Sequence, residues 1–218
     1  MSATAVLNVA ATRVGTEALG PGVRSVLWVQ GCPFDCAGCM SPDWIPDRPA
    51  RQADAGELAA ELLGDPRVGG LTFSGGEPMH QAAGLAEVAR LARRERDVSV
   101  LCFTGYRLEQ LRTRPPSSAV AELLAAVDVL IDGRYVAALD DGRGLRGSTN
   151  QRIHHLTRRL TDCGYDFEHR PRTAEIAISG PEAMLIGVPP PGLLAAFDTA
   201  VDSVRTGTPT RREPPHER

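Results

Sequence analysis

The hydrophobic pattern changes period along the chain, and the changes mark the elements. Val23 to Val29 (VRSVLWV) has strand length and five apolar residues of seven, which predicts a strand. Residues 55, 58, 59, 62 and 63 between Ala55 and Leu63 are apolar, the spacing of one helix face. Leu71 to Phe73 is a short buried strand that runs into Ser74-Gly75-Gly76-Glu77-Pro78. Gln81 to Arg96 is an amphipathic helix with Leu85, Val88, Ala89 and Ala92 on one face. Val98 to Phe103 and Val127 to Asp132 are further strands. Between them the Pro115-Pro116 break precedes a helix from Ser117 to Ala126, whose serines can cap it. Strands alternating with helices predict an α/β fold built from βαβ units, with a mainly parallel sheet and the working loops at the C-terminal strand ends.

The pattern breaks after Gly142. DDGRGLRGSTNQR is polar and glycine-rich, so a loop is expected. Thr173 to Ile178 and Met184 to Val188 form an expected hairpin around Ser179-Gly180-Pro181. Pro189-Pro190-Pro191 leads into an amphipathic helix carrying Leu193, Leu194, Phe197, Ala200, Val201 and Val204. The expected organisation is a core over 1–158, a hairpin and helix extension over 159–205, and a polar, disordered tail over 206–218. The sequence shows no internal repeat.

Composition narrows the chemistry. All 24 basic residues are Arg, so Schiff-base and phosphate-loop lysines are excluded. A formal net charge of −3 makes no case for nucleic acid. No apolar run approaches the roughly 20 residues that span a bilayer, and no positive charge precedes the short apolar stretch at the N-terminus. The expectation is therefore a cytoplasmic protein without membrane or nucleic-acid partners. There, clustered cysteines point to a metal or catalytic site rather than to disulfides.

The cluster is Gly31-Cys32-Pro33-Phe34-Asp35-Cys36-Ala37-Gly38-Cys39, with C-x3-C-x2-C spacing directly after a strand. Three thiolates this close can wrap one small inorganic centre. A structural zinc site is closed by four protein ligands, and neither Cys102 nor Cys163 shows the paired spacing of a fourth. Three ligands leave a position open for a substrate or cofactor.

C-x3-C-x2-C after the first strand, followed by Gly75-Gly76-Glu77-Pro78 at the end of the second, resembles the signature pair of the radical S-adenosylmethionine (SAM) superfamily. Gly20-Pro21-Gly22 with Arg24, GLTFSGGEP, TGY at 104–106, DVLIDGRY at 128–135 and RGSTNQRI at 146–153 resemble one group within it. That group is the anaerobic ribonucleotide reductase activating proteins, the small activases of glycyl radical enzymes. The resemblance covers roughly residues 20 to 153.

The resemblance implies an incomplete (βα) barrel and a radical SAM activating enzyme. Cys32, Cys36 and Cys39 would bind three irons of a [4Fe-4S] cluster, with SAM chelating the fourth. Gly75 and Gly76 would let backbone approach SAM, and Glu77 would accept a hydrogen bond from its ammonium, with Ser74 in a similar role. Thr104 and Gly105 would lie near the SAM ribose or methionine, or form a plain strand-to-helix turn. Asp132 would bind a hydroxyl or hold its turn. Arg146, Asn150 and Arg152 would contact the carboxylate or adenosine of SAM, or the protein substrate, and Arg24 joins them as a motif cation. The usual aromatic residue before the third cysteine is Gly38 here, which leaves adenine to backbone or to Trp44, itself equally a packing residue. The implied partners are a large glycyl radical enzyme and a flavodoxin- or ferredoxin-type electron donor. Two other readings stay open: a stand-alone radical SAM enzyme on a small metabolite or peptide, for which the extension covers a pocket, and a non-catalytic metal-binding module.

Overall fold

The computed structural model describes residues 5–180 and 182–206. The tail expected beyond Thr206 lies outside the described residues. A seven-stranded sheet runs in the order β3-β1-β2-β4-β5-β6-β7. Its strands are β1 (Val6–Thr16), β2 (Arg24–Val29), β3 (Arg51–Asp54), β4 (Gly70–Gly75), β5 (Ser99–Thr104), β6 (Val129–Asp132) and β7 (Arg152–His155). β2, β4, β5 and β6 pair in parallel, whereas β1 and β3 on one side and β7 on the other are antiparallel to their neighbours. The sheet does not close on itself. It ends at two four-residue edge strands, β3 and β7.

The helices are α1 (Ala55–Leu62), α2 (Ala82–Glu95), α3 (Leu108–Thr113) and α4 (Val120–Ala126). Strand alternation gives the parallel strands two apolar faces. Leu27, Val29, Leu71, Phe73, Val100 and Leu130 point to one face and pack with Leu58, Leu62, Leu85, Val88 and Leu123 of the helices. Each such fully buried side chain contributes roughly 1.5–3 kcal/mol relative to exposure. α1 starts sharply because Asp54 accepts from Gly56 N and Glu57 N while Glu57 reaches back to Asp54 N.

Val26, Trp28, Leu101, Val129 and Ile131 point to the other face. No helix of the βα units covers it. Instead the C-terminal hairpin, β8 (Ala174–Ser179) and β9 (Glu182–Gly187), brings Ile186 and Val188 against it, with Leu145, Leu160 and Phe167. Arg172, with no exposed side-chain surface, pairs with Asp140 at 2.8 Å and donates to Arg146 O, Gly147 O and Pro189 O. It thereby ties the extension to the 146–151 loop. α5 (Leu193–Thr206) follows and buries none of its residues.

Several expectations change. β1, β3 and β7 were not legible as strands, and α3 was not legible as a helix; Arg152, expected at the end of the polar loop, instead opens β7, which pairs with β6. α4 begins at Val120 with Ala119 as its cap and no side-chain capping bond, so the serines at 117 and 118 do not cap it. The architecture is mixed α/β with a parallel centre and a C-terminal hairpin and helix. Among the described residues no helix is long and apolar enough to cross a membrane.

Candidate active site

The four parallel strands end together on one side, where ligands gather in such sheets. β2 runs into Gly31, whose φ of +94° turns the chain into the cysteine loop. That loop is anchored from behind: Gly31 N donates to Trp44 O and Cys32 N to Ile45 O, both at 2.9 Å. β4 runs into Gly75 and Gly76, where Gly76 N donates to Val29 O at 2.7 Å and Glu77 N to Gly31 O at 2.8 Å. A Cβ on Gly76 would overlap Gly31 O, and Gly75 has a φ of +102° against the Val29 backbone. Only glycine lets these two loops lie this close.

One open cavity results. It is lined by Cys32, Cys36, Cys39, Ser74, Gly75, Gly76, Glu77, Thr104 and Gly105, together with Phe34, Met40, Phe103, Gly133, Arg134, Tyr135 and Gln151. The structure thus brings the three cysteines and the 74–77 and 104–105 segments to one place. All five cysteines of the chain are free thiols.

Glu77 lines the cavity but is turned largely inward. It is 1% exposed. Its carboxylate accepts from Met79 N at 2.9 Å, Thr104 Oγ1 at 2.8 Å and Gly105 N at 2.8 Å. Burial pushes its pKa up to about 7 against these three bonds, which act to lower it. Glu77 therefore joins the ends of β4 and β5, and the Thr104 hydroxyl is committed to it.

Asp132, Arg146 and Asn150 do not line this cavity. Asp132 has no exposed surface and gathers Arg107 at 3.1 Å, Leu108 N at 2.7 Å, Arg152 at 2.7 Å and His154 at 2.9 Å. Burial acts to raise its pKa, but the hydrogen bonds from Arg152, Leu108 N and His154 outweigh it and hold the carboxyl at about 2. Arg152 also pairs with Glu109 at 2.6 Å. Arg146 lies 3.5 Å from Asp141. Asn150 donates to Arg134 O at 2.8 Å and accepts from Ser148 Oγ at 2.7 Å. Gln151 donates to Gly133 O at 2.7 Å. The 146–151 loop thus braces the turn that follows β6. Trp44 packs against Trp28, with ring centroids 5.5 Å apart, and does not line the cavity. Arg24 sits at the opposite end of β2, 1% exposed and bonded to Thr72 Oγ1, Ser99 Oγ and the carbonyls of Pro21, Leu71 and Ser99. It is a structural cation.

Arg134 and Tyr135 were missed as cavity residues. Their signal was present: they follow Asp132-Gly133 at the end of a parallel strand, where a ligand loop is expected. Tyr135 stands beside Gly38, its Cε1 3.5 Å from where a Cβ there would lie, so an aromatic ring fills the wall that Gly38 leaves bare.

Comparison with known proteins decides the family. Residues 18–154 match the 4Fe-4S single cluster domain family. The chain is 36% identical over 148 residues to the anaerobic ribonucleoside-triphosphate reductase-activating protein of Vibrio cholerae, covering 63% of this chain and 91% of that relative. It is 32% identical over 147 residues to the protein of that name from Escherichia coli K12, with the same two coverages. The protein of that name from Enterobacteria phage T4 is 32% identical over 147 residues, 62% of this chain and 85% of the relative. The chain belongs to this family. The matched region ends at 154, so the extension that carries β8, β9 and α5 lies beyond it.

The cysteine loop fits a [4Fe-4S] cluster by its donor set: three free, half-buried thiols on one open cavity beside a backbone cradle. Among the described residues no three His, Cys, Asp or Glu side chains stand ready as a metal-binding group. Burial raises the pKa of the Cys32 thiol to about 11 and pushes that of Cys39 up as well. Iron is bound by the thiolate, so cluster binding releases the proton that burial holds on Cys32.

Proposed function

We propose that the chain is a radical SAM activating enzyme that installs a glycyl radical on a partner enzyme, an anaerobic ribonucleoside-triphosphate reductase. The observation that carries this reading is the single cavity shared by Cys32, Cys36, Cys39 and the Gly75-Gly76 cradle, in a chain of the reductase-activating family. When bound, the [4Fe-4S] cluster supplies one-electron reduction of the SAM sulfonium and, through it, hydrogen-atom abstraction.

The residues supply the rest. Cys32, Cys36 and Cys39 hold the irons as thiolates. The cradle presents backbone polar groups to the ammonium of SAM. Glu77 and Thr104 keep the ends of β4 and β5 in register beneath it. Phe34, packed on Gly105 and edge-on to Tyr106 at 4.8 Å, excludes water from one wall. The open sheet, read as an incomplete barrel between edges β3 and β7, leaves room for a protein loop carrying the reactive glycine. A flavodoxin- or ferredoxin-type protein is the proposed electron donor. The free thiols support action in a reducing, cytoplasmic compartment.

The test is anaerobic reconstitution followed by three readings: iron and sulfide content, deoxyadenosine formed from SAM under reduction, and a glycyl radical signal on the partner reductase. A protein that binds zinc in place of iron and sulfide overturns the reading. A second reading, a stand-alone radical SAM enzyme on a small metabolite or peptide, is favoured by one observation. Pro189 to Gly192 of the extension line a groove with Gly38, Met40 and Tyr135, and Met40 and Tyr135 also line the cysteine cavity. That reading requires a product from a small substrate with no partner protein present.

A further inference from the structure

We infer that the C-terminal extension builds one side of a docking groove for the glycine-bearing segment of the partner enzyme. The inference rests on the proposed function and names what the extension adds to it. The match takes 91% of the Vibrio cholerae relative but 63% of this chain, so the extension has no counterpart of its length there.

The groove is assembled from three segments and opens into the cysteine cavity. Gly38 and Met40 come from the cysteine loop, Tyr135, Ala137 and Asp140 from the turn after β6, and Pro189 to Gly192 from the extension. Met40 and Tyr135 line both spaces, so a chain lying in the groove runs on toward the three thiols. One buried cation fixes the spacing of the sides. Arg172 pairs with Asp140 at 2.8 Å on the β6 side and donates to Pro189 O at 3.2 Å on the extension side.

The lining selects the occupant. Gly38, Ala137, Gly192 and the three prolines lose no side-chain entropy when covered, and their small or rigid surfaces let another backbone come close. Among the described residues no cationic side chain lines the groove, and its one carboxylate, Asp140, is already paired with Arg172. A phosphate or carboxylate metabolite would find no partner there, whereas an extended, uncharged peptide would find a surface of its own kind. The rim is open. Pro191 and Gly192 are exposed, and Val136 and Leu139 in the turn after β6 are 40% and 44% exposed. A metabolite pocket buries most of its ligand. A rim of this kind suits a segment that enters and leaves as part of a larger protein.

The test blocks the groove from the extension side, in the cluster-loaded full chain. Pro191→Trp places a large ring there, and Pro191→Ala leaves the space free. Two rates are measured. One is deoxyadenosine formation from SAM under a chemical reductant with no partner present. The other is growth of the glycyl radical signal on the full-length partner reductase as its concentration is varied. Pro191→Trp should raise the KM for the reductase about tenfold or more, with deoxyadenosine formation within about twofold of native. Pro191→Ala should stay within about threefold of native on both. Leu194→Trp, at the start of α5, repeats the block if Pro191→Trp fails to take up iron. An unchanged KM in an iron-loaded blocking variant overturns the inference. An equal loss of deoxyadenosine formation also overturns it, because the groove would then belong to SAM. Native protein that forms deoxyadenosine but never a glycyl radical defeats the proposed function itself, and the inference with it.

Discussion

The two ends of the parallel strands use arginine and glycine in opposite ways. At the N-terminal end, Arg24 is sealed among five neutral acceptors, and a side chain on Gly70 would occupy the guanidinium's place. Burial drives the Arg24 pKa down to about 9, so the charge is held there at a cost that its acceptors offset. At the C-terminal end, Arg134 has a ring and one carbonyl, and Gly75-Gly76 press against the backbone of Val29 and Gly31 beside a cavity that stays open. One end is saturated and closed, the other is left incomplete. The lesson is that an arginine within a recognisable motif is assigned by what already satisfies it, not by the motif.

The contrast can be broken most directly at the cysteines. Cys36→Ala should abolish iron–sulfide uptake and SAM cleavage, while the unfolding free energy of the unloaded protein from denaturant titration stays within about 0.5 kcal/mol of native, as for a side chain outside the core. Unfolding of the unloaded variant would make the loop structural and sink the distinction. Arg24→Met should do the reverse. It leaves the acceptors on Thr72, Ser99 and Leu71 unpaired and should lower stability by about 1–3 kcal/mol, with cluster uptake per folded molecule unchanged.

Asp132 sharpens the comparison because it serves stability at the functional end. Its carboxyl is held at about 2, below its usual 3.8. A depressed acid contributes stability that is complete above the unfolded value and lost as pH falls from about 4 to about 2. Native protein should therefore lose about 2 kcal/mol over that window from this group. Asp132→Asn should be less stable at pH 7 and show a flatter acid limb in denaturant titrations. The smallest effect belongs to Trp44→Phe, which keeps an aromatic partner for Trp28. It should change SAM affinity by less than about twofold and stability by about 1 kcal/mol. A large loss of SAM affinity would return Trp44 to the ligand.

The sequence was readable where neighbours in the chain are also neighbours in space. The parallel strands and α1 and α2 announce themselves through their own periodicity, and the thiols and the Gly-Gly turn sit in contiguous motifs. β1 was hidden because its ladder with β2 shifts register between Val9 and Ala11 and again between Arg13 and Thr16, which breaks the alternation. β3 is the polar tetrapeptide Arg-Gln-Ala-Asp, a strand only because β1 pairs with it. α3 has six residues, too few to show a period. Arg134 could not be separated from Arg146 or Arg152 in sequence, because what distinguishes it is the carboxylate the others have found.

Cys102 has a practical consequence. It lies at 0% exposure inside β5, and burial pushes its thiol well above the usual pKa, so it resists alkylation until the sheet opens. Cys163 is exposed and the three loop thiols are half-buried. A thiol-labelling count should therefore distinguish the states of the molecule without a spectrometer tuned to iron. Four cysteines should label in the native unloaded chain, one when the loop is occupied, and all five once the strands separate.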